Sequence, residues 1–251
     1  MAAALADRFD VTGLDVVAKP WPFMRDSLDG CEVVFTVVRD EAETEALLFD
    51  VQKVAALPSL RVLAICSTLS PVYVKALRDR VPGHVALVDA PMSGAAIAAE
   101  ERRLSFMLGG EAAVLDRLQP MLDAMGTRFH RMGAFGAGMT AKVCNNLVAA
   151  ASTVATRTAL DWAAAQGLER GALLALMNDS SGQTWFGSNF DAIEFARDGH
   201  APDNTIGILA KDVAAAKAAA PAGADTDLAD ALIRSIRKLD ALDAPVCRSG
   251  E

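Results

Sequence analysis

A lysine and an asparagine lie four residues apart near the start of a long apolar stretch. Lys142 and Asn146 belong to "GAGMTAKVCNNLV", residues 136–148, and this spacing places both side chains on one face of a helix. The surrounding residues are apolar nearly all round, which predicts that the helix is buried on several sides. A buried lysine is costly unless it is paired or used, and desolvation lowers its pKa towards that of a neutral-pH acid or base. The pair therefore predicts proton transfer, with a solvated surface lysine as the alternative.

Hydroxyl groups follow two of the apolar segments that are typical of strands. Ser93 and Gly94 follow the apolar segment in "VDAPMSGA", and Ser67 and Thr68 follow the one in "ICSTLSP". The ligand crevice of an open α/β sheet lies outside the carboxyl ends of its strands. Hydroxyl and backbone N–H groups at these positions could therefore hold a carboxylate, and ordinary strand-to-loop turns are the alternative.

A second lysine interrupts an apolar helical stretch later in the chain. In "GILAKDVAAAK", Lys211 and Asp212 are surrounded by alanine, leucine, isoleucine and valine. Viewed alone, the two residues are better explained by a surface ion pair. We keep both as candidates for a functional site.

The elements that must position these residues fall into two groups. Up to about Gly136 the chain alternates helical patterns with apolar segments typical of strands, which cover 11–16, 32–38, 61–68, 84–91 and 104–110. This alternation predicts an α/β domain with a mostly parallel, doubly wound sheet over residues 1–137. The remainder, residues 138–251, predicts an all-α domain, with helices over 139–166, 169–178, 188–197, 205–219 and 226–240.

The front of the chain matches the second half of a dinucleotide-binding unit. Such a unit begins with a strand, a Gly-x-Gly-x-x-Gly loop and a helix, and an acidic residue ending its second strand binds the ribose. Here a helix over 1–9 is followed by a strand that ends at Asp15, but no first strand or glycine loop precedes them. We therefore expect the chain to start inside the first helix. Asp15 becomes a candidate ribose ligand, with a solvated turn residue as the alternative.

Composition and charge exclude several classes of protein. A net charge of −8 argues against nucleic acid as the main partner, because phosphate binding needs clustered lysine and arginine. An apolar run of eighteen residues, or a signal peptide, is not found, so we predict no membrane span. The cysteine usage predicts a reduced, cytoplasmic protein. The four cysteines, including Cys247, match neither a zinc pattern nor a CxxC motif, and Cys66 and Cys144 are predicted to be buried thiols. No metal is expected.

Four segments in order resemble the β-hydroxyacid dehydrogenases, the group of 3-hydroxyisobutyrate and 6-phosphogluconate dehydrogenases. These segments are "DAPMSGA…LSFMLGG", "GAGMTAKVCNNLV", "SSGQTW" and "LAKDVAAA". The resemblance covers nearly the whole chain and is greatest for the 3-hydroxyisobutyrate- or threonate-like branch. It implies a Rossmann-like N-terminal domain, with its first strand and glycine loop missing, followed by an all-α substrate and dimerisation domain.

The resemblance also implies an activity and a substrate site. The protein would be an NAD(P)-dependent oxidoreductase that transfers a hydride between nicotinamide and a small hydroxy acid. Lys142 would act as the general acid or base at the substrate hydroxyl, and Asn146 would orient the substrate or the lysine. Ser93 and Gly94 would hold the substrate carboxylate.

Further residues are implied on the cofactor side. Ser67 and Thr68 would lie near the cofactor, and Lys211 would lie beside the nicotinamide. Asp15 would favour NAD over NADP, since a carboxylate repels a 2′-phosphate. A homodimer or homotetramer is expected from the apolar helix that follows Gly136.

One alternative follows from departures from the family pattern. The family has a second glycine after Ser-Gly where this chain has Ala95, and the glycine loop is absent. These departures suit a truncated, non-catalytic relative that oligomerises or binds a small acid without competent cofactor binding.

Overall fold

A computed structural model describes residues 1–17 and 19–242. The chain forms two compact units, the first covering Met1–Lys142 and the second beginning at Val143. The sequence-based boundary at 137/138 falls five residues before this division and coincides with the start of a long helix. Cys247 lies outside the described residues.

The first unit alternates strands with helices, as its hydrophobic pattern predicts. Its strands are β1 (Val33–Thr36), β2 (Val62–Ile65), β3 (Ala86–Asp89), β4 (Met92–Ser93), β5 (Leu104–Gly109) and β6 (Gly126–Gly133). Its helices are α1 (Ala2–Ala6), α2 (Glu41–Glu45, continued by a π-helical turn at Ala46–Asp50), α3 (Pro71–Ala76), α4 (Ala95–Glu100) and α5 (Ala112–Met125).

The strands form one six-stranded mixed sheet in the order β1-β2-β3-β5-β4, with β6 pairing to β5. The pairs β1–β2, β2–β3 and β5–β6 are parallel, and β5 runs antiparallel to β3 and β4. Alternate residues of β2 point into different cores, because successive side chains leave a strand on opposite faces. Leu63 and Ile65 pack with the cluster that holds Leu77, whereas Val62 and Ala64 pack with the α5 side chain of Leu118. Both faces of the sheet are therefore covered.

The strand predicted over residues 11–16 is not formed. This segment makes a single isolated bridge, between Gly13 and Met24, and the Val16 side chain is 90% exposed. A strand needs a neighbour to pair with its backbone, and within the described residues β1 pairs only with β2. The β6 strand, in contrast, has no apolar alternation in "GTRFHRMG" and was not predicted.

The regular elements of the second unit are all helices within its described residues. The long helix α6 (Ala137–Ala165) begins in the first unit and continues into the second, which adds α7 (Arg170–Asn178), α8 (Trp185–Ser188), α9 (Thr205–Ala218) and α10 (Asp227–Ile236). One apolar cluster joins α6 to α9 and α10, and another joins α6 to α7 and α8. The prediction of a helix over 188–197 is wrong, because helix α8 ends at Ser188 and is followed by turns.

The cysteines follow the prediction only in part. Cys66 is 3% exposed, and burial raises the pKa of its thiol to about 12, so it stays protonated. Cys144 is exposed, because its position on α6 faces away from the packed neighbours of that helix. Residues 1–17 and 19–242 contain no cluster of three or more His, Cys, Asp or Glu that could hold a metal ion. Within the same residues, helices combining the length and apolarity needed to cross a membrane are absent.

Candidate active site

The structure brings together two of the predicted site residues, Lys142 and Ser93. The Lys142 Nζ donates a hydrogen bond of 3.1 Å to the Ser93 Oγ. Lys142 is 7% exposed, whereas Ser93 is half-buried. The amine is thus screened from bulk water, whereas its hydroxyl partner is partly exposed. Such a desolvated lysine is suited to proton transfer.

Backbone geometry fixes the position of Ser93. Its strand β4 pairs with β5, which places Ser93 opposite Ser105. The next residue, Gly94, has a φ of +134° and precedes the first turn of α4. A Cβ at this position would also lie 2.4 Å from the Ala98 Cβ, so a side chain is excluded on two grounds. The Ser-Gly pair therefore sets the direction in which the hydroxyl leaves the sheet.

A second polar pair is built inside the helical unit. The Asn146 Nδ2 donates a hydrogen bond of 2.6 Å to the Asp212 Oδ2, and both residues are buried. Asp212 lies on α9, whose first turn is capped by the Asn204 side chain accepting from Gly207 N–H. Lys211, its neighbour, is exposed. The predicted Lys-Asp motif therefore divides into an outward lysine and an inward aspartate that holds Asn146.

The predicted cofactor residues lie on the first unit. Ser67 follows β2 and is 5% exposed, and its Oγ accepts the Val38 N–H at 2.9 Å. This bond ties the ends of the parallel strands β1 and β2 together. Thr68 is half-buried beside it. Asp15 is exposed, accepts the Val17 N–H at 2.9 Å and forms an ion pair of 3.8 Å with Lys19.

One buried acid, Asp89 at the end of β3, was not predicted from the sequence. It is fully buried, and its two oxygens accept the N–H groups of Gly136 at 2.6 Å and Met139 at 2.5 Å. Burial raises the pKa of this carboxyl, while the two backbone hydrogen bonds act in the opposite direction. The available signal was a single aspartate ending the otherwise apolar run "VALVDA".

The "SSGQTW" segment has a structural use for its threonine. The Thr184 Oγ1 accepts the Gly187 N–H at 2.9 Å and so caps α8. It also lies 3.4 Å from the Thr156 Oγ1. Trp185 is 63% exposed.

Comparison with known families decides the relationship. Residues 3–134 match the model of the NAD binding domain of 6-phosphogluconate dehydrogenase. Residues 136–241 match the model described as NAD-binding of NADP-dependent 3-hydroxyisobutyrate dehydrogenase. The chain belongs to the β-hydroxyacid dehydrogenase family. The resemblance in the four short segments is therefore confirmed, and so is the Rossmann-like sheet followed by a helical domain.

Individual members of the β-hydroxyacid dehydrogenase family resemble the chain over part of their length. The NAD-dependent L-serine dehydrogenase of Pseudomonas aeruginosa is 36% identical over 167 residues, which are 64% of this chain and 55% of the relative. The mitochondrial 3-hydroxyisobutyrate dehydrogenase of Drosophila melanogaster is 36% identical over 120 residues, 47% of this chain and 37% of the relative. The chain thus spans about half or less of the length of these curated relatives.

A solved structure of the family is similar to this protein over a larger share of both chains. The 3-hydroxyisobutyrate dehydrogenase of Mycobacterium tuberculosis, solved with L-serine, has a TM-score of 0.79 and 25% identity, covering 95% of this chain and 90% of that one. A Salmonella typhimurium 3-hydroxyisobutyrate dehydrogenase has a TM-score of 0.70 at 22% identity, over 85% of this chain and 76% of that one, which supports the fold.

Proposed function

We propose that the protein is an NAD(P)-dependent oxidoreductase that transfers a hydride between nicotinamide and a small hydroxy acid. The observation that carries this proposal is the 3.1 Å hydrogen bond between the buried amine of Lys142 and the hydroxyl of Ser93. It occurs in a chain of the β-hydroxyacid dehydrogenase family, and the pair unites a proton-transfer group with a candidate carboxylate-binding loop.

The chemistry assigned to Lys142 is proton transfer at the substrate oxygen. In the oxidative direction the neutral amine accepts the hydroxyl proton while the carbon loses a hydride, and in reduction the ammonium returns that proton. Ser93 accepts from Lys142, so its own O–H can still donate to a substrate oxygen. When bound, the nicotinamide would supply or accept the hydride.

Asn146 is one helical turn further along α6, and its amide is fixed at both ends. Its Nδ2 donates to Asp212 at 2.6 Å, and its Oδ1 accepts from the Asn145 Nδ2 at 3.2 Å. A side chain held in this way has little rotamer freedom to lose on binding a ligand. We assign it the orienting role, with Asp212 as its support.

A dinucleotide suits the residues at the carboxyl edge of the parallel strands. The bond between Ser67 and Val38 N–H holds the ends of β1 and β2 together, and ligands of open α/β sheets bind outside such strand ends. The Ser67 hydroxyl proton and the half-buried Thr68 are the donors offered there. Asp15, exposed and paired only loosely with Lys19, is available to bind ribose hydroxyls.

For the substrate we propose a small 3-hydroxy acid. The relatives named above are an L-serine dehydrogenase and 3-hydroxyisobutyrate dehydrogenases, and one related structure contains L-serine. Both compounds carry a primary alcohol on the carbon next to the one that bears the carboxylate. One hydroxyl for Lys142 and one carboxylate for the Ser93–Gly94 loop match this pattern.

The proposed function is tested by cofactor binding followed by turnover. Fluorescence titration of the full chain with NADH, run beside NADPH, should give saturable binding that favours NADH. L-serine, 3-hydroxyisobutyrate and threonate are then screened for NAD⁺ reduction. A folded chain that binds neither nucleotide and turns over none of these acids would overturn the proposal and support the non-catalytic alternative.

A matched pair of variants tests the role of Asp15. Asp15→Asn should narrow the preference for NADH over NADPH, because it removes the charge that repels the 2′-phosphate. Asp10→Asn serves as the control, since Asp10 is also an exposed aspartate of this segment. If the ratio of the NADH to the NADPH dissociation constant is the same in the two variants, Asp15 is not part of the cofactor site.

We also propose that the protein forms a homodimer through α6. Val148, Ala155 and Trp162 recur every seven residues on this helix and are all exposed, Val148 at 69% and Trp162 at 73%. Apolar residues repeating at this spacing form a seam that suits a second helix. A second copy of the chain would bury this seam and supply an identical one.

Trp162→Glu should convert the dimer to a monomer, because it places a charge in the proposed seam. Sedimentation velocity measures the change. Trp21→Glu is the control, since Trp21 is also partly exposed but lies in the first unit. A wild-type chain that sediments as a monomer would contradict the proposal directly.

A reducing, cytoplasmic setting completes the proposed function. Cys31, Cys66 and Cys144 are free thiols. Disulfides are rare in that compartment, where thiols are kept reduced.

A further inference from the structure

The buried carboxylate of Asp89 joins the end of β3 to the start of α6. Its Oδ1 accepts the Gly136 N–H at 2.6 Å, and its Oδ2 accepts the Met139 N–H at 2.5 Å. Asp89 is fully buried. A buried carboxylate is tolerated only when hydrogen bonds replace its hydration, and the first turn of a helix provides N–H groups that lack helical partners.

Other contacts hold the same helical turn tightly against the sheet. The Met139 Sδ accepts the Leu69 N–H at 3.4 Å, and Met139 is fully buried. At Gly138, a Cβ would lie 2.4 Å from the Met107 carbonyl oxygen and 3.0 Å from the Asp89 Oδ2. The start of α6 therefore has little room to shift along β5.

Both partners of the Lys142–Ser93 hydrogen bond are connected to Asp89. Lys142 lies three residues after Met139 on the same helix, and Ser93 lies four residues after Asp89 on one segment of chain. The carboxylate thus clamps the backbone that carries the amine to the backbone that carries the hydroxyl. A displacement of about 1 Å at a catalytic group can cost roughly 10²-fold in rate.

We propose that Asp89 is a positioning residue for Lys142, acting by holding the first turn of α6 in register with the Ser93 loop. The kinetic part of this inference rests on the proposed dehydrogenase function. The geometric part, the dependence of the Lys142 position on Asp89, can be measured without turnover.

Asp89→Asn is the sharpest substitution, because it keeps the size of the side chain while replacing one acceptor oxygen by an NH₂ donor. Either orientation of the amide then turns a donor towards the N–H of Gly136 or Met139. The matched control is Glu169→Gln. Glu169 accepts the Ala172 N–H at 3.1 Å in the first turn of α7, a helix that carries none of the candidate residues.

Three readouts separate positioning from general stability. In Asp89→Asn, hydrogen exchange of residues 136–142 should accelerate, and acylation of Lys142 by acetic anhydride should become several-fold faster relative to Lys238. The kcat should fall by roughly 10–100-fold while the KM for NAD⁺ stays within about twofold. Glu169→Gln should match the wild type in all three.

The outcomes distinguish failure of the inference from failure of the proposed function. Unchanged exchange and acylation in a folded Asp89→Asn variant would overturn the positioning role, whatever the turnover. Absence of wild-type turnover together with altered acylation would overturn the dehydrogenase assignment and keep the geometric clamp. If Asp89→Asn does not fold, hydrogen exchange of the Gly136 and Met139 amides is measured by NMR in the wild-type protein. Exchange at the rates of unprotected amides would refute the clamp.

Discussion

Replacing Lys142 by methionine should lower kcat about 10²–10⁴-fold, the range expected for loss of a general acid or base. The amine donates to Ser93 and is 7% exposed. Methionine has a similar length and no charge, so it fits a buried position without the desolvation penalty of an ammonium. The fold should persist, and the loss should appear in kcat with L-serine or 3-hydroxyisobutyrate and NAD⁺.

Two further variants define what the loss means. Lys142→Arg retains a positive charge but cannot release a proton, because arginine stays protonated in proteins. It should therefore be as impaired as Lys142→Met if the residue transfers a proton, and much less impaired if the charge alone matters. Lys238→Met is the control, as Lys238 is an exposed lysine beyond α10. A loss of less than about tenfold in Lys142→Met would contradict the assigned role.

Sequence pattern predicted those elements whose signal is local. The fully buried run "VLAI" of β2 was expected, because both faces of an interior strand need apolar side chains. The α6 and α9 helices were expected from long apolar stretches, and Asn204 caps α9 as its residue type favours. The prediction of a strand over 11–16 failed, and β6 was not predicted. A strand depends on pairing with a distant segment of the chain, and this pairing leaves little trace in the residues of the strand itself.

The same division applies to the candidate site. Lys142 stood out because a lysine in an apolar helix is unusual, and the family resemblance supplied Ser93. Their hydrogen bond joins residues 49 positions apart, a separation that no local pattern encodes. Asp89 escaped notice because an aspartate at a strand end is a common turn residue. Only its burial against the start of α6 distinguishes it from the exposed Asp15.

Truncating Phe106 to alanine should reduce the unfolding free energy of the first unit by about 3–5 kcal/mol, the usual range for a buried phenylalanine. Phe106 is fully buried in β5 and stacks on Phe129 with ring centroids 6.2 Å apart. It also pairs with Met92 of β4, the residue before Ser93. The cavity would therefore form beneath the strand pair that positions the Ser93 hydroxyl.

The measurement must resolve the two units, since a chain with two units need not unfold in one step. Native-state hydrogen exchange does this, with the amides of β2 reporting on the first unit and those of α9 on the second. Phe106→Ala should lower the protection of the β2 amides and leave that of the α9 amides unchanged. Val72→Ala, at a 61% exposed position of α3, is the control. It should change the opening free energy of the β2 or α9 amides by no more than about 0.5 kcal/mol. An equal loss of opening free energy in β2 and α9 would mean that the two units unfold together. A loss below about 1 kcal/mol in β2 would mean that the surrounding side chains collapse into the space left by Phe106.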